Sequence, residues 1–318
     1  MNEQNIVMAC FVAVLTDSEA EVRSAAVTHL CRMIQWGGTT MYTQHIQASL
    51  PNLADDVVME VRSKCALALM DTAAATDTLD DTMIVQHFGP LYEGFLQDEF
   101  HEVQLQVLGN LHKIAHLLPK LTGVVSALLK MARAANWRVR EAVARLLPHL
   151  AETRGLDFFN TVLLESAWLT FLFDPVASVR NSIVSGMALL VQSVGAEYVS
   201  STLIPHLVRI YNQSNNTYLI RTTILNALVE TALACQSGPL WNEVMLQILR
   251  GLVDKVPNVR RIVANGLYRI IQAYNEHGYG DAAMMQTQVL PALQKSFNEE
   301  TDVDCIPACQ DALDQIKV

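Results

Sequence analysis

The sequence predicts an all-α chain of stacked two-helix units, a repeat solenoid. Three observations predict it: a motif that recurs about every 40 residues, apolar residues at helical spacing on both sides of each copy, and composition. Leu, Ala, Val and Met dominate a chain that is 51% hydrophobic, with only 14 Gly and 10 Pro in 318 residues. That balance favours helices over sheets and supplies enough apolar surface for a large core.

The motif sets an acidic residue five places before an apolar anchor, with Arg directly after it. Its copies run from Asp17 to Val22-Arg23, Asp56 to Val61-Arg62, Asp98 to Val103-Gln104 and Ala134 to Val139-Arg140. They continue from Asp174 to Val179-Arg180, Asn215 to Ile220-Arg221 and Asp254 to Val259-Arg260, and end with a degenerate copy from Glu300 to Cys305-Ile306. The anchors are separated by 39, 42, 36, 40, 41, 39 and 46 residues. This is the period of HEAT and armadillo repeats. The fold class is therefore a single HEAT-repeat array over 1–318, of about eight repeats: 1–42, 43–82, 83–120, 121–157, 158–197, 198–237, 238–280 and 281–318.

After each anchor the apolar residues mark the inner face of a second helix, helix B. Val139, Val143, Leu146 and Leu150 are one such stripe; Val179, Ile183, Met187, Leu190 and Val194 are another; Val259, Val263, Leu267 and Ile270 a third. Before each motif lies helix A, as in Val162, Leu163, Ala167 and Phe171, or Val244, Met245, Ile248, Leu249 and Leu252. Pro51, Pro90, Pro205 and Pro291 recur inside helix A, where each removes an intrahelical bond and bends the helix. A two-helix unit cannot bury its apolar face alone, so neighbouring copies stack into one core. The last helix, Cys305 to Val318, is mixed as a cap would be, whereas the first copy has only Met1 to Asp17 for helix A. The chain reads as the C-terminal part of a longer solenoid or a naturally short one.

Composition excludes several functions. With 22 Lys plus Arg against 32 Asp plus Glu the formal charge is −10, which repels a phosphate backbone, so no nucleic-acid partner is expected. No apolar run reaches a membrane span and the N-terminus lacks a signal-peptide pattern, so no membrane partner is expected and the location is cytoplasmic or nuclear. The six cysteines (Cys10, Cys31, Cys65, Cys235, Cys305, Cys309) are scattered through helical patterns and read as reduced thiols. No phosphate-binding loop, nucleophile elbow or dinucleotide fingerprint is present, and the carboxylates are spread along the repeat turns. No catalytic residue, metal or cofactor is expected. His112 and His116 stand at i and i+4 and are expected on one helix face, but Lys113 occupies the place where a zinc protease needs Glu.

The chemistry falls instead on the turn tips. Two residues before the anchors the chain has Ala20, Met59, His101, Trp137, Ala177, Tyr218, Pro257 and Val303, which stacking would set in a row. The next position reads Glu21, Glu60, Glu102, Arg138, Ser178, Leu219, Asn258 and Asp304, so the row turns from acidic to basic at the fourth copy. Trp, Tyr and Arg at such tips are hot-spot residues, which singles out Trp137, Arg138 and Tyr218. The arginines after the anchors, with an Asp six residues earlier in most copies, are suited to an inter-repeat ladder of ion pairs.

These segments resemble the scaffold (A) subunit of protein phosphatase 2A. Asn136-Trp137-Arg138-Val139-Arg140 is similar to that family's Lys-Trp-Arg-Val-Arg turn. The stretch from His101 to Leu111, the stretch from Tyr218 to Thr223 and the run Val289-Leu290-Pro291 also have counterparts in order. The match corresponds to the C-terminal eight of the family's fifteen repeats. The resemblance implies a non-catalytic scaffold whose last repeats hold the phosphatase 2A catalytic subunit through their intra-repeat turns. It implies partner-binding positions at Trp137, Arg138, Ala177, Tyr218, Arg260, Arg261 and Asp304. Regulatory B-type subunits are held by N-terminal repeats that have no counterpart here. The chain departs from the family at Ala177, where the family has Tyr, at Arg261, which replaces an aromatic, and at Cys305-Ile306-Pro307, which replace Val-Lys-Tyr. The alternative is an adaptor of HEAT or armadillo type for other protein cargo, as in nuclear transport.

Overall fold

Where the motif has its Asp, that residue closes the turn between the helices of the repeat. A short carboxylate side chain reaches the backbone N–H two residues on and mimics a turn. Oδ1 accepts at 2.9 Å from Val58 N–H in Asp56, from Phe100 in Asp98, from Val176 in Asp174 and from Val256 in Asp254. The computed structural model describes residues 3–75, 78–213 and 217–316. Asn215, which holds the Asp position of the sixth copy, and the end of the last helix at Val318 lie outside the described residues.

The helices follow the predicted register. Helix B begins two residues before the anchor in seven repeats, at Ala20–Val27, Met59–Ala74, His101–Asn110, Trp137–Phe158, Ala177–Ser185, Tyr218–Cys235 and Pro257–His277. The tip residue is therefore the first residue of helix B. The eighth differs: its helix, Cys305–Asp314, starts on the anchor. There Glu300 replaces the Asp, and Asp302 takes over the capping, accepting from Asp304 N–H at 3.0 Å and Cys305 N–H at 3.2 Å. No strand occurs among the described residues.

The chain forms two compact units, Met1–Arg154 and Gly155–Val318, each holding four repeats. Sequence composition shows no such boundary. It falls at Gly155, whose φ of 83° breaks the run of helical residues. In the first unit the edge-to-face rings of Tyr42, Phe88 and Tyr92 are fully buried, and the Tyr92 hydroxyl donates to Leu69 O at 3.0 Å. In the second, Trp168, Trp241, Phe159 and Phe171 fill the core. The predicted helix B stripes are buried throughout: Val139, Val143, Leu146 and Leu150 in the first unit, and Val259, Val263, Leu267 and Ile270 in the second.

The prolines of helix A are accommodated rather than left as simple kinks. Pro205 and Pro291 each sit in the first turn of an α-helix that directly follows a π-helical turn, Val199–Leu203 and Met285–Val289. A π-turn shifts hydrogen bonding by one residue, so the missing proline N–H falls where the pattern changes. Pro51 and Pro90 likewise lie in the first turn of short helices, Leu50–Ala54 and Gly89–Leu96.

Candidate protein-binding ridge

The arginine after each anchor fixes the turn from inside. It stands in the first turn of helix B, close enough to reach back to the carbonyl six residues earlier. Nη1 donates to Asp17 O from Arg23 (2.8 Å), to Asp56 O from Arg62 (2.7 Å), to Ala134 O from Arg140 (2.8 Å), to Asp174 O from Arg180 (2.6 Å) and to Asp254 O from Arg260 (2.8 Å). Gln104, which stands in for Arg in the third copy, does the same to Asp98 O at 2.7 Å.

The rest of the guanidinium reaches the next repeat. Arg23 Nε donates to Asp56 at 2.6 Å, and Arg62 Nε to Asp98 at 2.6 Å. In the second unit Arg221 Nε donates to Asp254 at 2.7 Å, and Arg260 Nε to Glu300 at 2.7 Å. Each is a fork of two parallel bonds to one carboxylate, the strong form of the ion pair. Burial pushes the Asp56, Asp98 and Asp254 carboxyls up, but the facing arginines and the backbone N–H donors more than reverse this and hold all three below the usual range. Arg23, Arg62, Arg221 and Arg260 thus make the expected inter-repeat ion pairs, whereas Arg180 donates from Nε to the Thr223 hydroxyl at 3.2 Å.

The fourth tip is the most distinctive. Trp137 is half-buried and Arg138 exposed. The Arg138 guanidinium lies over the indole, 4.8 Å from its centroid. Such stacking of a cation on a ring face holds both side chains in one orientation. Asn136 Oδ1 accepts from Arg138 N–H at 2.9 Å and fixes the backbone beneath the pair. Arg138 forms no ion pair among the described residues, so its charge is available.

Trp137 and Arg138 form the mouth of a groove of about 450 Å³ between the B helices of the third and fourth repeats. Leu105, Leu108 and Leu146 give it an apolar floor, and His112, Glu141, Arg145 and His149 are its polar lining. Glu141, Arg145 and His149 lie off the turn tips that the repeat motif picks out. The signal was there: Arg138, Glu141, Arg145 and His149 recur at helical spacing along one face of helix B. His112 and His116 do not share a helix face as expected. Leu111–Leu117 is a 3-10 segment, in which i and i+4 point in different directions. His116 approaches Asp81 at 3.8 Å, while the His112 ring lies 6.4 Å from that of His149. Among the described residues no group of three or more His, Cys, Asp or Glu is arranged to hold a metal ion.

The other tips of the first unit are acidic. Glu21, Glu60 and Glu102 are exposed, and Glu60 pairs with Lys64 at 2.8 Å, which holds its carboxyl below the usual range. In the second unit Ala177 is exposed, and Tyr218 and Leu219 are 41% and 39% exposed. Arg261 is exposed and leans on Asn258 at 2.9 Å. Arg260 is engaged in the ladder by Glu300 and Asp254 O, so its guanidinium serves the turn rather than the surface. Asp304 is exposed and stands one residue before the last helix, which Asp302 caps.

No protein-family model matches the chain, and no curated protein does. Solved structures do. A crystal structure of importin beta in an ammonium sulfate condition matches with a TM-score of 0.65 at 16% identity, over 98% of this chain and 41% of the other. The chain is a HEAT-repeat solenoid. It spans about two-fifths of the importin beta chain that it matches. An engineered protein matches with a TM-score of 0.49 at 18% identity, over 97% of this chain and 78% of that one. In a HEAT repeat of this kind the chemistry available to a partner is surface chemistry: an aromatic–cation pair, a shallow groove and rows of single charges.

Proposed function

We propose that this chain is a non-catalytic scaffold that binds the catalytic subunit of a type 2A serine/threonine protein phosphatase through its intra-repeat turns. The observation that carries the reading is the Trp137–Arg138 pair, stacked at 4.8 Å and presented at the mouth of a groove on a turn whose fixed backbone costs the partner no ordering. It is the turn on which the sequence resemblance to the phosphatase scaffold is most specific. In the second unit Ala177, Tyr218, Arg261 and Asp304 are the exposed candidates for the same partner. Arg260 supports them by holding its turn.

In this reading the phosphatase supplies the chemistry and any metal ions, and the scaffold supplies position. Regulatory B-type subunits are further candidate partners, and the cytoplasm or nucleus is the place of action. The test is titration of the full chain with purified phosphatase catalytic subunit, followed by size-exclusion chromatography. A stoichiometric complex supports the proposal. No complex, together with recovery of nuclear-transport proteins from a lysate, would favour the cargo-adaptor alternative.

A further inference from the structure

The groove behind Trp137 has a chemistry of its own. Its floor is Leu105, Leu108 and Leu146, the last two buried within their helices. Arg138, Arg145, His112 and His149 line it together with one carboxylate, Glu141, which Arg145 already engages at 2.6 Å, and His149 faces Glu152 outside the lining at 3.6 Å. The Arg145 side chain is 68% exposed, so it can swing to a second acceptor without unfolding anything. The groove is therefore a positive, apolar-floored slot in a chain of formal charge −10. The neighbouring tips of the same unit, Glu21, Glu60 and Glu102, are all negative and exposed.

We infer that this slot is a docking site for an extended acidic peptide segment with apolar or aromatic side chains, contributed by the partner bound at the Trp137 tip. The inference rests on the proposed scaffold role and extends its footprint from the turn tip inward to His112, Arg145 and His149. Carboxylates of such a segment meet Arg138 and Arg145, which offer planar donor forks that match a carboxylate. Its apolar side chains cover the leucine floor, and the exposed Glu21, Glu60 and Glu102 disfavour the neighbouring turn tips. That repulsion makes register selective, since specificity needs penalties elsewhere as well as attraction here. A polynucleotide also presents acid and stacking rings. However, its continuous phosphate charge would run into Glu102 and Glu60, whereas a peptide places its charges singly.

The probe is a fluorescein-labelled Glu/Leu/Phe peptide, read by anisotropy on the full chain. Controls are the same peptide with Lys for Glu and a labelled single-stranded oligonucleotide. Binding of the acidic peptide alone, weakened about tenfold by Arg145→Ala and by His112→Ala/His149→Ala but not by Met59→Ala, supports the inference. Equal binding of the Lys peptide, tighter binding of the oligonucleotide, or indifference to Arg145→Ala overturns it. Circular dichroism of each variant shows whether it is folded, and Arg145→Lys, which keeps charge but not the fork, should restore only part of the affinity. If the acidic peptide fails to bind while Trp137→Ala still abolishes the phosphatase complex, the groove inference falls and the scaffold proposal stands. If the peptide binds and no phosphatase complex forms, the partner assignment falls instead.

Discussion

Arg260 and Glu300 face each other across two successive repeats, Nε and Nη2 of one donating to both carboxylate oxygens of the other at 2.7 Å. The same fork joins Arg62 to Asp98, at 2.6 and 3.0 Å. Side-chain exposure in these pairs is low, 17% and 2% in the first and 10% and 8% in the second. Removing one member leaves a largely buried charge without its partner and a turn carbonyl without its donor. Arg62→Ala should therefore destabilise the first unit by about 3 kcal/mol. Urea denaturation of the variant against the parent checks this. A change of a few tenths would show that the ladder behaves like an ordinary surface pair.

Acid should act on the same ladder. Arg260, together with the Thr301 and Asp302 N–H donors, holds the Glu300 carboxyl down to about 2 from its ordinary 4.5. A carboxyl depressed on folding contributes stability that is fully present above its unfolded value and is lost as pH falls toward its folded value. The contribution of this pair should thus be constant above about pH 5 and fade between about pH 4.5 and pH 2. Melting temperature followed across that window, in the parent and in Glu300→Gln, should show the two curves converging at the acid end. Parallel curves would mean that Glu300 is not the group being titrated.

Much of the architecture was legible because the motif is itself a list of hydrogen bonds. Asp at the fifth place before the anchor caps its own turn, and Arg after the anchor holds that turn's carbonyl and reaches the next Asp. Any copy that keeps those residues folds in the same register. What was not legible lies where local rules give two answers. Leu111–Leu117 keeps helical spacing yet winds as a 3-10 segment, and this sends His112 and His116 to different neighbours. The π-turns before Pro205 and Pro291, Val-Ser-Ser-Thr-Leu and Met-Gln-Thr-Gln-Val, share no residue at any position. The division at Gly155 has no mark of its own, since Gly38, Gly195, Gly238 and Gly278 take positive φ within the units. The groove was missed for another reason: its polar stripe on helix B is interpretable only once the neighbouring helix supplies Leu105, Leu108 and His112.

Unfolding should be gradual or occur in steps. Each repeat is stabilised chiefly by its neighbours, and the chain divides into two compact units at Gly155. Long arrays of this type lose the all-or-none cooperativity of small domains. Differential scanning calorimetry should give a van't Hoff enthalpy well below the calorimetric value. Equality of the two for the whole chain would contradict the picture of locally coupled repeats.

The decisive prediction concerns the fourth tip. Trp137→Ala and Arg138→Ala should each weaken binding of the phosphatase catalytic subunit by about 2 kcal/mol or more, because an aromatic stacked on a cation at a half-buried tip has the chemistry of an interface anchor. Met59→Ala and Glu60→Ala provide the control. Met59 has the place in its turn that Trp137 has in the fourth, and Glu60 the place of Arg138, two repeats earlier in the same unit. All four side chains stand outside the ion-pair ladder, so none of the changes should cost much stability. Isothermal titration of each variant, beside its melting curve, separates the outcomes. Normal binding with an early melt in Trp137→Ala would make that residue a packing element between the third and fourth repeats. Equal losses in all four variants would spread the footprint over the acidic tips, and the restriction of binding to the fourth and later turns would fail. A loss confined to Trp137 and Arg138, with unchanged melting, assigns the tip to the partner.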